Sequence, residues 1–386
     1  MKTCPHRSAA SVLKASFRCQ GVRGARAGRF ILAEANVSAQ TIRRLYDAPP
    51  IRHFLASFVK RESVNFTGTS ASETNDGTKY AIPTAGIIET TKTATSSSYS
   101  ISTDTAGCGP TGGYNDMLAL IAVFAACDHF EHRSTVRSTW GSALTTMPGL
   151  KVVFMLGKPG NDTVQERIAQ ENALHEDIVQ GTFVDTYKNL TLKSLMMLRW
   201  AASFCPNAKF VLKIDDDVLL NVWDFAATLK RLAAVKLRRT IWGRVWTQSR
   251  PSRKTKGRYG KWYVPKSIFP NATYPDYVNG PAYLISGDSV PLLLRSVSVV
   301  PYFFIEDVYI TGLLADKAGV RRVNDNGFAP ERKHDIHPCG RPRVVTSHKW
   351  NPQSLRLAWR KMVGRIDRQR CMSLGLKAWL EGIDSL

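Results

Sequence analysis

An α/β fold, with a mainly parallel sheet covered by helices, is what this sequence predicts, and three observations predict it. From Tyr114 onward, short apolar runs alternate with stretches of helical spacing. Strands and helices in alternation imply parallel strands joined by helical crossovers. Apolar residues make up 44% of the 386-residue chain, enough for a packed core in one large domain or two ordinary ones. Finally, the apolar run 210–214 ends abruptly in Asp215, Asp216 and Asp217, and in such sheets ligands sit at the carboxyl ends of strands.

The elements follow in chain order. Residues 1–60 are basic and weakly periodic, and form a poorly ordered N-terminal segment by expectation. Residues 61–113 are rich in Ser, Thr and Gly ("TKTATSSSYSISTDTAGCGPTGG") and read as a stalk-like linker. The folded domain then spans 114–386. "LALIAVFAA" reads as a buried strand and "HRSTVRSTWG" as a short helix ended by Gly141. "KVVFMLG" is a strand, 162–175 a helix, and "DIVQGTFVD" an extended segment. "NLTLKSLMMLRWAASF" places Leu192, Leu195, Met196 and Leu198 along a helix that Pro206 stops. "KFVLKI" is a strand, "VWDFAATLKRLAA" a helix and "TIWGRVW" a strand. "AYLIS" is the next strand, followed by the helices "DSVPLLLRSV" and "DVYITGLLADKAG", the latter closed by Gly319.

The aspartate triplet falls at the carboxyl end of "KFVLKI". In an extended chain Asp215 and Asp217 point to one side and Asp216 to the other. Two carboxylates ~5 Å apart repel by under ~1 kcal/mol in water and by several times that near a low-dielectric core. A hard divalent cation with oxygen ligands is the natural compensation. The competing reading is a helix N-cap, for which one Asp suffices. A second acidic pair, Glu306 and Asp307 in "FFIEDVYITG", interrupts an apolar run just before a helix. It reads either as a cap favoured by the helix dipole or as a general base that takes a proton from an attacking hydroxyl.

The formal charge of +22 is unevenly distributed. Residues 1–60 hold eleven Lys/Arg against Glu34 and Asp47, and residues 236–266 hold eleven with no acid. Such runs attract phosphate groups, and the second is interleaved with Trp242, Trp246, Tyr259, Trp262 and Tyr263. Nucleic-acid binding would rest on charge alone, since no nucleic-acid motif is present. The seven cysteines form no close metal-binding pair, which argues against zinc, and allow two or three disulfides. Five N-x-[ST] sequons begin at Asn36, Asn65, Asn161, Asn189 and Asn271 and point to a lumenal or extracellular history. The longest uncharged apolar stretch, "MLALIAVFAAC", is eleven residues, short of the roughly 20 needed to span a bilayer. The start lacks the apolar centre of a signal peptide, so the sequence shows no route into the secretory pathway.

Taken together, these motifs resemble the β-1,3-glycosyltransferases of glycosyltransferase family 31, which includes β-1,3-galactosyltransferases and β-1,3-N-acetylglucosaminyltransferases. The matching blocks run in family order: "HRSTVRSTWG", "VVFMLG", "EDIVQGTFVDTYKNLTLKSLMMLRWAASFCPNAKFVLKIDDDVLLN", "KWYVPKSIFPNATYPDYVNGPAYLIS", "EDVYITGLLADKAGV" and "VVTSHKWNP". The resemblance implies a GT-A type nucleotide-sugar-binding domain over 114–386. It implies Asp217 and His348 as ligands of Mn²⁺, with Asp215 and Asp216 touching the nucleotide sugar or holding its loop. By the same resemblance Arg133 and Arg137 lie near the nucleotide, Asp307 is the catalytic base, and Lys261, Trp262, Tyr277 and Glu306 contact substrate. The implied reaction is transfer of galactose from UDP-galactose to the 3-hydroxyl of an acceptor glycan on a glycoprotein or glycolipid. UDP-N-acetylglucosamine as donor, or an inactive glycan- or nucleotide-binding homologue, are the alternatives. Members are Golgi membrane proteins with a lumenal catalytic domain, which is the implied location. Two features depart from the family. No anchor segment is visible, and "NGPAY" carries Pro281 and Ala282 where glycines are usual, restricting the backbone beside the sugar site. Cys205 matches a family cysteine expected in a disulfide, with Cys127, Cys339 and Cys371 as candidate partners.

Overall fold

The computed structural model describes residues 99–100, 117–257, 259–377 and 380. The basic segment 1–60 and nearly all of the linker 61–113 lie outside the described residues, as do Asn36 and Asn65. In chain order the strands are β1 (Tyr99–Ser100), β2 (Ala119–Phe124), β3 (Leu150–Lys158), β4 (Ile178–Val184), β5 (Phe210–Asp215), β6 (Leu219–Leu220), β7 (Thr240–Trp246), β8 (Tyr277–Ser286), β9 (Arg321–Asn324), β10 (Phe328–Ala329) and β11 (Thr346–Ser347). The α-helices are α1 (Phe130–Arg137), α2 (Trp140–Thr145), α3 (Asp162–His175), α4 (Leu190–Phe204), α5 (Val222–Ala234), α6 (Val290–Ser296), α7 (Ala315–Ala318), α8 (Pro352–Val363) and α9 (Arg368–Ser373).

Eight strands form one sheet in the order β1-β4-β3-β2-β5-β8-β7-β9. β4, β3, β2 and β5 are parallel neighbours, β8 runs antiparallel between β5 and β7, and β9 is parallel to β7. The expected mainly parallel α/β sheet is therefore present. All six residues of β2 are buried, as a strand covered on both faces requires. Ala119, Ile121 and Val123 enter the core shared with α1, α2, α5 and α8. Leu120, Ala122 and Phe124 enter the core shared with α4 and α6. That period of two is the pleat itself. Trp223 of α5 is wholly buried and stacks on Trp359 of α8 with ring centroids 5.7 Å apart. A small sheet, β10-β11-β6, hangs beside the large one and carries the segment leading to His348.

Several boundaries differ from expectation. "HRSTVRSTWG" is not one helix ended by Gly141. α1 ends at the Ser138 cap, and Thr139 departs from helical angles (φ −128°, ψ −117°) before α2 begins. Gly141 lies inside α2, where a Cβ would come within 2.5 Å of the Val136 carbonyl oxygen. It is the tight turn between the helices that demands glycine. β8 starts five residues before "AYLIS". The helix after Asp307 is a π-helix over Val308–Leu314 before it tightens into α7 and closes at Gly319 (φ 62°). Cys339 is bonded to Cys371, and Cys127 is a buried free thiol. Cys205 is also disulfide-bonded, so none of its three candidate partners is the right one. Among the described residues no helix is long and apolar enough to cross a membrane.

Candidate active site

β2 and β5 are in register to their ends, with Phe124 opposite Asp215, so both strands finish at one edge of the sheet. The Asp216 amide donates to the Phe124 carbonyl at 3.0 Å, and the Trp350 amide to the Asp217 carbonyl at 2.9 Å. These bonds hold the triplet between the β2 end and the C-terminal segment. A cavity of about 520 Å³ opens there, lined by Phe124, His129, Tyr187, Asp215, Asp217 and His348 among others, a size suited to a small-molecule ligand. A second cavity, about 690 Å³, lies at the far end of the sheet around Phe210 and Ser286, away from the acidic groups.

Asp215, Asp217 and His348 each aim one ligand atom at a common space, all within 4.8 Å of one another. His348 Nε2 is 3.2 Å from Asp217, while its Nδ1 is 3.2 Å from the Pro330 carbonyl. The carbonyl engages Nδ1, so Nε2, which meets Asp217 here, is the nitrogen turned toward the cluster. Burial lowers the His348 proton affinity, but the bond to Asp217 and the charges of Asp217 and Asp215 outweigh it and leave it raised. Asp216 turns the other way, to His129 Nδ1 at 2.8 Å.

Beneath the triplet, Lys213 is the key group that sequence reasoning missed. It is 2% exposed, pairs with Asp215 and donates to the Gly280 carbonyl at 2.6 Å. The Gly280 amide in turn donates to Asp307 at 3.1 Å. Gly280 thus links the triplet to the second acidic pair, through its carbonyl on one side and its amide on the other. A Cβ on residue 280 would stand 3.2 Å from the Asp307 carboxylate, so glycine is needed for this approach. Asp307 also accepts from the Val308 amide at 2.9 Å. Burial, then the charge of Glu306, pushes its carboxyl up to about 7 against these two amides and Lys213. Asp215 is raised to about 6, by burial first and by Asp217. Lys213 stays charged because burial, which opposes it, is outweighed by Asp215 and Glu306. A single buried cation thus serves Asp215, Glu306 and Asp307, and burial first, with the surplus negative charge after it, raises Asp215 and Asp307.

The other expected site residues divide. Glu306 is only 7% exposed, and its carboxylate accepts from Ser194 and Tyr283, each at 2.5 Å. It lies beneath the site and acts on Asp307 through charge. Arg133 donates to Glu171 and to the carbonyls of Ala126 (2.7 Å) and Cys127 (3.2 Å), and Arg137 pairs with Glu171 and Asp177. Both guanidinium groups are taken by protein partners, and Arg133 braces the loop after β2 that lines the cavity. Trp262 donates to the Tyr187 hydroxyl at 2.6 Å, and Lys261 lies over both rings, 4.4 Å from Trp262 and 5.2 Å from Tyr187. Tyr187 lines the cavity and Trp262 belongs to the basic run, so this aromatic pair joins the basic segment to the site. Tyr277, at the start of β8, is raised to about 12 by burial and Asp307. Pro281 falls at the register shift between β7 and β8, where a residue without an N–H breaks no ladder bond.

The parallel sheet with an acidic cluster at the carboxyl ends of β2 and β5 suits an enzyme that binds a charged small molecule there. The comparisons are specific. The family model described as galactosyltransferase matches residues 131–326. The mouse protein named beta-1,3-galactosyltransferase 1 is 31% identical over 245 residues, covering 63% of this chain and 73% of its own. The zebrafish protein named lactosylceramide 1,3-N-acetyl-beta-D-glucosaminyltransferase A is 33% identical over 258 residues, covering 64% and 67%. A solved glycosyltransferase involved in glycosylating the PBCV-1 major capsid aligns over 63% of this chain and 98% of its own, at 9% identity and a TM-score of 0.33, a likeness too slight to argue from. The chain belongs to the galactosyltransferase family, the β-1,3-hexosyltransferases of glycosyltransferase family 31.

Proposed function

We propose that this enzyme transfers galactose from UDP-galactose to the 3-hydroxyl of an acceptor sugar on a glycoprotein or glycolipid, inverting the anomeric centre to a β-1,3 linkage. The single observation that carries the reading is Asp307, a carboxyl raised to about 7 and tied through Gly280 to the Lys213–Asp215 pair. A general base works best when its pKa lies near the operating pH. Asp307 takes the proton of the acceptor hydroxyl as that oxygen bonds to the anomeric carbon. The bond from that carbon to the UDP diphosphate breaks on the opposite face, so an α-linked donor yields a β-linked product. Tyr187, Trp262 and Lys261 offer aromatic faces and a cation beside the reacting sugars.

Two carboxylates and one imidazole within 4.8 Å fit a divalent cation of the Mn²⁺ type. Asp217 and His348 would hold it, with Asp215 beside them. When bound, such an ion neutralises the leaving diphosphate as a Lewis acid. A release assay over a panel of UDP-sugars with Mn²⁺ tests the donor. UDP-galactose as the fastest donor supports the proposal, and UDP-N-acetylglucosamine as the fastest replaces it with the second reading, which the zebrafish relative favours.

For location we propose the Golgi membrane with the catalytic domain lumenal. The Cys339–Cys371 disulfide suits an oxidising compartment. Of the described sequons, Asn161 and Asn271 are exposed, while Asn189 is half-buried and donates to the Val184 carbonyl at 2.8 Å. Glycosidase treatment of the cell-expressed chain checks this: a mobility shift supports it, and none contradicts it.

A further inference from the structure

The aspartate triplet faces two ways, and the second face has its own chemistry. His129 caps α1, and His132 follows one turn later, so both imidazoles project from the same side of that turn. Their rings stack with centroids 4.2 Å apart. Asp216, 6% exposed, reaches His129 from the end of β5. Ligand atoms of His129, His132 and Asp216 all lie within 4.8 Å of one another. The His129 ring makes no capping bond to the α1 backbone.

We infer that His129, His132 and Asp216 form a second cation site, selective for zinc-class metals and distinct from the Asp215–Asp217–His348 cluster. The ligand sets differ in kind. Two imidazoles and one carboxylate suit Zn²⁺, Cu²⁺ or Ni²⁺, whereas a carboxylate-rich set suits Mn²⁺ and Mg²⁺. The wide spacing of the cysteines has no bearing on this site, which uses no thiolate. Tetrahedral zinc with bonds of about 2.0–2.1 Å sets its ligand atoms about 3.3 Å apart. Ligand atoms already within 4.8 Å of one another close to that spacing by a side-chain rotation, which half-exposed His132 can make. Asp128 adds negative charge beside His129, and the opposing charge of Arg133 is compensated by Glu171 at 2.7 Å. His129, His132 and Asp216 all line the 520 Å³ cavity, so the fourth coordination position opens to solvent or to an oxygen ligand bound there. An ion here would sit beside the catalytic cluster and withdraw Asp216 from its bond to His129.

The test is zinc binding to the full chain by equilibrium dialysis in excess Mn²⁺, which requires no turnover and so stands or falls apart from the donor assignment. Wild type and His348→Ala should each retain one zinc per chain with equal affinity. His132→Ala should bind about tenfold more weakly or worse, and His132→Cys, which restores a zinc ligand at the same place, should recover it. That recovery separates loss of a ligand from misfolding. Zinc bound as tightly by His132→Ala as by wild type would overturn the inference. So would loss in both His132 variants, or loss in His348→Ala with retention in His132→Ala.

Discussion

Replacing Asp307 by Asn keeps the shape of the side chain and removes both its charge and its basicity. Loss of a positioned general base lowers turnover by about 10²–10⁴-fold. UDP affinity should stay near wild type, because the Asp307 carboxylate is held by the Gly280 and Val308 amides and is not one of the ligand atoms of the Asp215–Asp217–His348 cluster. The same substitution should change stability, with a sign set by the direction of the pKa. Burial and Glu306 raise this carboxyl from an ordinary 3.8 to about 7, so between those values the folded state binds more protons than the unfolded one. Wild-type stability contributed by this group is therefore highest below the unfolded value and falls as pH rises to about 7. At about 1.36 kcal/mol per pKa unit, ionising it in place costs up to about 4 kcal/mol above pH 7. Asp307→Asn escapes that cost, so its stability relative to wild type should grow between pH 4 and pH 8. Urea unfolding at both pH values measures the difference, while calorimetry with UDP and steady-state turnover measure the rest. Near-normal transfer by the variant, or a stability difference independent of pH, would refute the reasoning.

Other perturbations follow from the same contacts. Because the base works ionised, kcat/KM should fall as pH drops through about 7, and a profile flat to pH 5 would remove Asp307 from its role. Glu306→Gln deletes a charge that raises Asp307, so the acid limb of that profile should move to lower pH; movement to higher pH would contradict the electrostatic account. Trp262→Ala removes the indole that holds Tyr187, and acceptor KM should rise several-fold with kcat less affected, as expected for lost binding that is uniform along the reaction. Cys371→Ala opens a bridge with a sequence separation of 32, and chain entropy puts the stability loss at about 3–4 kcal/mol by urea unfolding.

Much of the fold was legible because the central parallel strands are largely buried and read as mostly apolar runs. β2, β3 and β5 are of this kind, and α3 spans the expected residues. Gly141 misled because glycine commonly ends helices, whereas here it answers a close approach from the turn before it. The division of the triplet between two side-chain clusters matches the alternation expected of an extended chain. What supports the triplet was not legible. Lys213 gave one signal, a charged residue inside an apolar strand two positions before an aspartate. Its bond to Gly280 depends on β8 entering the sheet antiparallel beside β5, which local pattern does not specify. Arg133 and Arg137 meet acids 34 to 40 residues away, so their engagement by Glu171 and Asp177 became visible only in the folded chain. His129 and Asp216, 87 residues apart, met unseen for the same reason.

The proposed transfer also calls for a divalent ion, which Asp217 and His348 would hold. The direct test is anomalous diffraction at the manganese edge from crystals of the full chain grown with UDP and Mn²⁺. One peak is expected between Asp217 and His348 beside the diphosphate, lost in Asp217→Ala. UDP bound with no anomalous peak there, together with transfer unaffected by chelator, would contradict it.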